Sequence, residues 1–403
     1  MMSLETKFAK MGIDNAPGQE INQAASALPV RGESLPGRRV DFSHGDVDAF
    51  LPTPGALEAF VEGFNEGGKQ AYTEYSGRSD IRATLAEHLS NFTGATFGAE
   101  NVILTPGTQG ALFLAMGATI GEGTKVAIIE PDYFANRKLV YFFGGELVPV
   151  QMDYFSSDKE AGLDLSGLEA ALQQGVKVIL YSNPNNPTGV IYSAREVKGI
   201  AALAKKYGAT VIADQLYSRQ IFDNHEYTHF CAVTEEPENC ISIIGPSKTE
   251  SLSGFRLGVA FGSKAIIHRM EKLQAIVTLR CSGYNQAVFK TWFNEPEGFM
   301  ADRVSRHQAI RDELVSIFRS VEGVKVRPSE GGSYLFPKLP KMAVDMPTFV
   351  KILREQANVI VTPGTEFGPQ FTDSFRINFS QDPQAAADAV RRIAELIERY
   401  RYE

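Results

Sequence analysis

From about residue 100 onward this chain alternates short apolar, β-branched runs with helical stretches, and that alternation limits its possible folds more than any other feature. The runs are KVAIIEP (125–131), VKVILYSNP (176–184), ATVIADQLY (209–217), CISIIGPSK (240–248) and RLGVAFG (256–262). Segments this short, separated by helices, read as buried strands of a mostly parallel or mixed sheet. One crossover helix carries its own boundary signals. Ser193 and Glu196 form a capping box, Val197, Ile200, Ala201 and Ala204 make an apolar face, and Gly208 is the stop. A last helix starts at Asp382 and Pro383 and sets Ala386, Val390, Ile393, Ile397 and Tyr400 at helical spacing, to pack on a separate, smaller sheet. The first forty residues are polar, with Gly and Pro interruptions, and read as an arm. A length of 403 residues suits a large domain plus a smaller one.

Ligands of open α/β sheets bind where the strands end, and the reactive residues gather there. Lys248 lies in SKTESLSGFRLG, preceded by Ser247 and followed by Gly254 and Arg256. A lysine traps a carbonyl when it is desolvated or crowded by another cation, and Arg256 supplies a fixed charge that also clamps phosphate. That combination points to pyridoxal 5'-phosphate. Asp214, ending ATVIA, needs a cationic partner, which a protonated pyridine nitrogen would be; Tyr217 follows within reach of the ring's phenolic oxygen. The turn at Gly107, Thr108 and Gln109 opens an apolar helix whose free N–H groups suit a phosphate, although such turns occur in any α/β protein. Tyr133 in PDYFANR could stack on a flat ring or be an ordinary loop aromatic. SNPNNPTG (182–189) is a dense turn that holds the Asn186 amide in one orientation.

A net charge of -8 without a long basic run argues against nucleic-acid binding. Cys231, Cys240 and Cys281 are scattered, with no metal-ligand spacing, and suit a reduced compartment. The N-terminus carries no cleavage signature, and no apolar run approaches the roughly 20 residues that span a bilayer. A cytoplasmic protein is expected, with no membrane partner.

Taken in order, the motifs YTEYSGRSDIR, GTQ, PDY, NNPTG, DQLY, SKTESLSGFR, GGSYLF (331–336), VTPGTEFG (361–368) and FRINFS (375–380) resemble the class I and II aminotransferases. These are fold-type I pyridoxal phosphate enzymes related to aspartate aminotransferase, and the resemblance runs from about residue 25 to the end. It implies an α/β large domain with a mostly parallel, seven-stranded mixed sheet flanked by helices, plus a smaller α+β domain. The expected division is 1–50 as arm and part of the small domain, 51–295 as the large domain, and 296–403 as the small C-terminal domain.

The resemblance also implies roles. Lys248 is the imine-forming lysine and proton shuttle, Asp214 pairs with the pyridine nitrogen, and Tyr217 and Asn186 contact the phenolic oxygen. Gly107, Thr108, Gln109, Ser247 and Arg256 hold the phosphate, joined by Tyr72 of the partner in a homodimer with shared sites, and Tyr133 lies on the ring. Arg376 binds the substrate carboxylate through a two-pronged bond, with Asn186 and Gly45 on the substrate side; His44, outside the family pattern, reads as a side-chain specificity or acid/base residue there or as a surface or packing histidine. The expected reaction is amino transfer between an L-amino acid and a 2-oxo acid. A lyase, cyclase or oxidase of amino-acid-derived substrates would keep the same motifs, and a non-catalytic sensor is a third reading, without the basic helix-turn-helix such regulators carry. Four features depart from the pattern or lack a role. Gly245 stands where a phosphate-binding hydroxyl is common, Glu250 follows the lysine where the family is commonly neutral, His44 precedes Gly45, and Arg78 and Arg280 are candidates for a second acidic group of the substrate.

Overall fold

The computed structural model describes residues 4–13, 28–45, 49–67 and 71–402; the remainder of the expected N-terminal arm lies outside them. Seven strands form the large sheet: β1 (Val102–Pro106), β2 (Lys125–Glu130), β3 (Glu146–Gln151), β4 (Val178–Ser182), β5 (Thr210–Asp214), β6 (Cys240–Ile244) and β7 (Leu257–Gly262). Their order is β1-β7-β6-β5-β4-β2-β3. β7 runs antiparallel to both neighbours and the other pairs are parallel. Residues of β4, β6 and β7 are buried on both faces, as their unbroken apolar runs require.

β1 and β3 are absent from the strands expected by pattern, and they are the two edges of the sheet. β3 is half exposed and contains Pro149, a residue tolerated at an edge because no ladder donor is needed on its outer side. In β1 the apolar run is only Val102–Leu104 before Thr105 and Pro106, and the strand leads directly into helix α1 (Gly107–Thr119).

Helix α2 (Ala194–Tyr207) forms between the expected signals. Glu196 N donates to Ser193 Oγ at 3.2 Å, Ser193 N donates to Glu196 Oε2 at 2.8 Å, and Gly208 closes the helix at φ 61°. The Glu196 carboxylate has a second task. It is fully buried and also accepts the N–H groups of Ala161, Gly162 and Leu163 at 3.0, 2.8 and 2.9 Å. One side chain therefore starts a helix and pins the loop beside it.

The second core gathers around helices α3 (Phe299–Arg319), α4 (Met346–Ala357) and α5 (Pro383–Tyr400). α5 buries Ala386, Val390, Ile393, Ile397 and Tyr400 as its spacing predicts. It shares that core with Phe375 and Ile377 of a small antiparallel sheet made of β8 (Tyr334–Leu335), β9 (Thr362–Pro363) and β10 (Phe375–Asn378), in the order β9-β10-β8. Val40 and Phe42 enter the same core, where Val40–Asp41 pairs in parallel with Val359–Ile360. A segment far forward in sequence thus lies beside the last third of the chain.

Glu196→Ala should lower the unfolding free energy by about 3 kcal/mol, because several buried N–H groups lose a charged acceptor. A lowered urea midpoint together with faster amide exchange at 161–163 checks this; unchanged exchange there would contradict it.

Candidate active site

The carboxyl ends of β4 and β5 open into a cavity of about 250 Å3. In-register pairing puts Ser182 beside Asp214 at its floor. Thr108, Gln109, Tyr133, Asn186, Asp214, Tyr217, Ser247, Lys248, Arg256 and Arg376 all line it, so residues spread over most of the sequence converge as expected. Gly107 heads the helix that contributes Thr108 and Gln109. His44 and Gly45 line an adjoining cavity of about 560 Å3, which shares Ser247, Lys248 and Ser253 with the first.

One end of the cavity is built to hold an anion. α1 begins at Gly107, at φ 77°, and no side chain caps it, so its first N–H groups lack a side-chain acceptor. Arg256 sits beside that turn in left-handed backbone, at φ 53°, with Nη1 donating to Ser253 O at 3.0 Å. β7 packs directly against the turn: a Cβ at Gly258 would overlap Gly107 C and Thr108 N. Gly245 has a similar cause. A Cβ there would lie 2.8 Å from Thr108 Cγ2, so the missing hydroxyl makes room for the threonine of the cup.

The opposite wall suits a cationic ring nitrogen. Burial raises the Asp214 carboxyl to about 6, opposed only by the Leu216 N–H, which donates to Oδ1 at 3.1 Å. Among the described residues no side-chain cation accounts for that carboxylate. Behind it, burial raises Asp132 to about 7, although Ser182 Oγ donates to it at 3.0 Å and the Asn136 amide also bonds to it. Tyr217 and Tyr334 share a hydroxyl bond of 2.6 Å, and burial, then Tyr334, holds the Tyr217 phenol well above its usual range. Burial pushes Tyr133 up to about 12. Both phenols therefore remain protonated donors at neutral pH.

Arg376 spans the remaining side. Its Nη1 donates to Asn186 Oδ1 at 3.0 Å and its Nη2 to Ser43 O at 2.9 Å, while the rings of Tyr334 and Phe367 lie 4.3 and 4.9 Å from the guanidinium. Nε is buried and unpartnered. The guanidinium rests on neutral acceptors, an arrangement that suits an incoming carboxylate.

Other candidates lie elsewhere. Tyr72 is 81% exposed, with Arg280 stacked 5.0 Å from its ring and 5.2 Å from that of Tyr75. Arg78 is committed to Asp80 and Glu66. Glu250 is fully buried against Arg219 and lines neither cavity. His44 is exposed, its Nδ1 3.0 Å from Gly45 O and its Nε2 3.7 Å from Asp41. Lys248 is itself exposed, at the junction of the two cavities. Pattern reading missed Ser43, Ser182, Ser253 and Tyr334 as cavity residues. Tyr334 was within reach, since GGSYLF was singled out; a lone serine gives no comparable signal.

The family described as aminotransferase class I and II matches residues 39–393. A crystal structure of an aspartate aminotransferase from Rhodobacter sphaeroides 2.4.1 shares 59% identity, covers 99% of this chain and 100% of that one, and superposes with a TM-score of 0.94. The aspartate aminotransferase of Sulfolobus acidocaldarius is 27% identical over 369 residues, 89% of this chain and 90% of that protein. That of Thermotoga maritima is 25% identical with a TM-score of 0.81, over 90% of this chain and 92% of that one.

The raised Asp214 carboxyl sets a pH dependence for the ligand-free protein. Its folded value exceeds the ordinary 3.8, so the folded state binds the extra proton and stability from this group falls as pH rises from about 4 through about 6. Asp214→Asn should remove that slope. The difference between wild type and variant in urea unfolding free energy should change by at most about 3 kcal/mol between pH 4 and pH 7, and a flat difference would contradict the assignment.

Proposed function

Since this chain belongs to the class I and II aminotransferases, we propose that its cavity holds pyridoxal 5'-phosphate and transfers the amino group of L-aspartate to a 2-oxo acid. The observation that carries the reading is the convergence of an anion cup, a half-buried carboxylate without a side-chain cation, a lysine and an arginine resting on neutral acceptors on one cavity of about 250 Å3. Aspartate is favoured by the names of the relatives and by Arg38 and Arg39 in the adjoining cavity, where a second carboxylate would find cations.

Each residue then has a task. The α1 N-terminus at Gly107, Thr108 and Gln109 holds the phosphate with Ser247 and Arg256. Asp214 keeps the ring nitrogen protonated, and the Tyr217 hydroxyl and Asn186 amide donate to the ring's phenolic oxygen, while Tyr133 covers its face. Bound in this way, the cofactor supplies an electron sink for the pair left when a proton leaves the substrate α-carbon. Arg376 fixes the substrate carboxylate and so aims the Cα–H bond. Lys248 Nζ anchors the cofactor and, once displaced, takes the proton from the α-carbon and returns one to complete the transfer. Glu250, sequestered by Arg219, contributes nothing to a lyase, cyclase or oxidase reading.

A homodimer completes the proposal. Leu57, Val61, Phe64, Tyr75, Ile276 and Leu279 are large apolar residues left 44–81% exposed, and the exposed Tyr72, stacked with Arg280, lines neither cavity of its own chain, which supports a role toward the partner's phosphate. The same reading keeps 1–50, 51–295 and 296–403 as the division of the chain and places the enzyme in the cytoplasm. The three cysteines are free, which supports that compartment, and no helix among the described residues is long and apolar enough to cross a membrane.

A single-turnover screen of amino acids with mass identification of products tests the substrate. Oxaloacetate from aspartate is expected; ammonia release, or no preference for aspartate, would overturn the reading. Lys248→Ala should abolish turnover. Arg376→Lys should lower kcat/KM by about 100-fold, since an ammonium cannot reproduce the two-pronged bond.

A further inference from the structure

The loop that presents Lys248 is gripped from two sides by arginines, the buried Arg303 and the part-buried Arg219 acting through Glu250. Lys248 is exposed, whereas Ser247, Thr249 and Glu250 are buried, so the loop backbone decides where Nζ points. The loop is tight. Ser251 N donates to Lys248 O at 3.2 Å, Leu252 N to Pro246 O at 3.1 Å, and Ser251 adopts φ 57°.

On one side the Glu250 carboxylate, 0% exposed, pairs with Arg219 and accepts the Thr249 hydroxyl. Arg219 is in turn held by both oxygens of Glu295, at 2.7 and 3.0 Å, with its guanidinium 4.2 Å from the Phe293 ring centroid. On the other side Arg303 of α3, 4% exposed, donates to Thr249 O at 3.2 Å, Ser251 Oγ at 2.6 Å and Leu51 O at 2.7 Å. The Glu250 carbonyl also accepts Thr53 N at 3.0 Å. None of Arg219, Glu250, Glu295 or Arg303 lines either cavity. Burying this many charges is a poor route to stability alone, since their pairing must first offset their desolvation. What the pairing supplies is a fixed backbone on both sides of Lys248.

We propose that Glu250 and Arg303 are positioning residues that set the Lys248 loop so that Nζ reaches the cavity. The inference rests on Lys248 being the covalent anchor of the cofactor. It is tested by loading cofactor-free Glu250→Leu and Arg303→Lys proteins with pyridoxal 5'-phosphate. Total bound cofactor is measured by ultrafiltration, and the fraction fixed on Lys248 by borohydride reduction and peptide mass. At saturating cofactor the untouched phosphate cup should still load the variants, while the fixed fraction falls about tenfold or more. kcat should fall with it and KM for the amino acid change by less than about threefold. Glu250→Gln, which keeps an acceptor for Arg219, should restore part of the fixed fraction. If a variant fails to fold, Ser251→Ala removes a single Arg303 bond and should still lower the fixed fraction. A fraction within about twofold of wild type in the folded variants, whatever their melting temperatures, overturns the proposal. No fixation at Lys248 in the wild type overturns the underlying reading instead, and this inference with it.

Discussion

The antiparallel pairing of β1 with β7 is the constraint from which the site follows. Its register places Thr105 opposite Gly258 and Pro106 opposite Leu257. Continuing one residue outward on each strand sets Gly107, the first residue of α1, beside Arg256. The cup for an anion is therefore a product of strand register, and it demands that Gly258 carry no side chain. β6 lies on the other side of β7, so the connection between them must cross the same cavity mouth, and that connection carries Ser247 and Lys248. A slip of this register by one residue would turn every side chain of β7 over and separate the lysine from the phosphate end.

Much of this was legible in the sequence because the responsible signals are local. α2 could be delimited from Ser193, Glu196 and Gly208, and α5 from Asp382, Pro383 and its apolar spacing, since capping and amphipathicity are written within a few residues. Central strands were legible for a related reason: burial on both faces leaves an unbroken apolar run. Edge strand β3 is half exposed and carries no such run, and in β1 the run stops after three residues. Long-range pairings were not legible at all. Nothing near Glu250 announces that Arg219 and Glu295 enclose it, and nothing near Arg78 announces Glu66. The hydroxyl bond between Tyr217 and Tyr334 joins residues more than a hundred positions apart, and only folding puts them together.

Two carboxylates near Lys248, Glu250 and Asp214, illustrate how environment separates roles that composition cannot. Glu250 has an arginine within ion-pair reach and is consumed by the architecture. Burial raises both carboxyls, but Asp214 has only a backbone N–H to oppose it, which leaves an electrostatic need that a cationic ligand satisfies. A carboxylate thus serves as a brace in one place and as a receptor in the other.

Arg376 is parked between two aromatic rings on an amide oxygen and a backbone carbonyl. A carboxylate that arrives there exchanges neutral partners and has no ion pair to pull apart. A departing product, likewise, hands the guanidinium back to ready acceptors instead of leaving it bare in a low-dielectric wall. The consequence is kinetic: both loading and discharge of the site avoid the barrier of separating opposite charges, so traffic through the enzyme can be fast in both directions, as an enzyme that must bind two acids in turn requires.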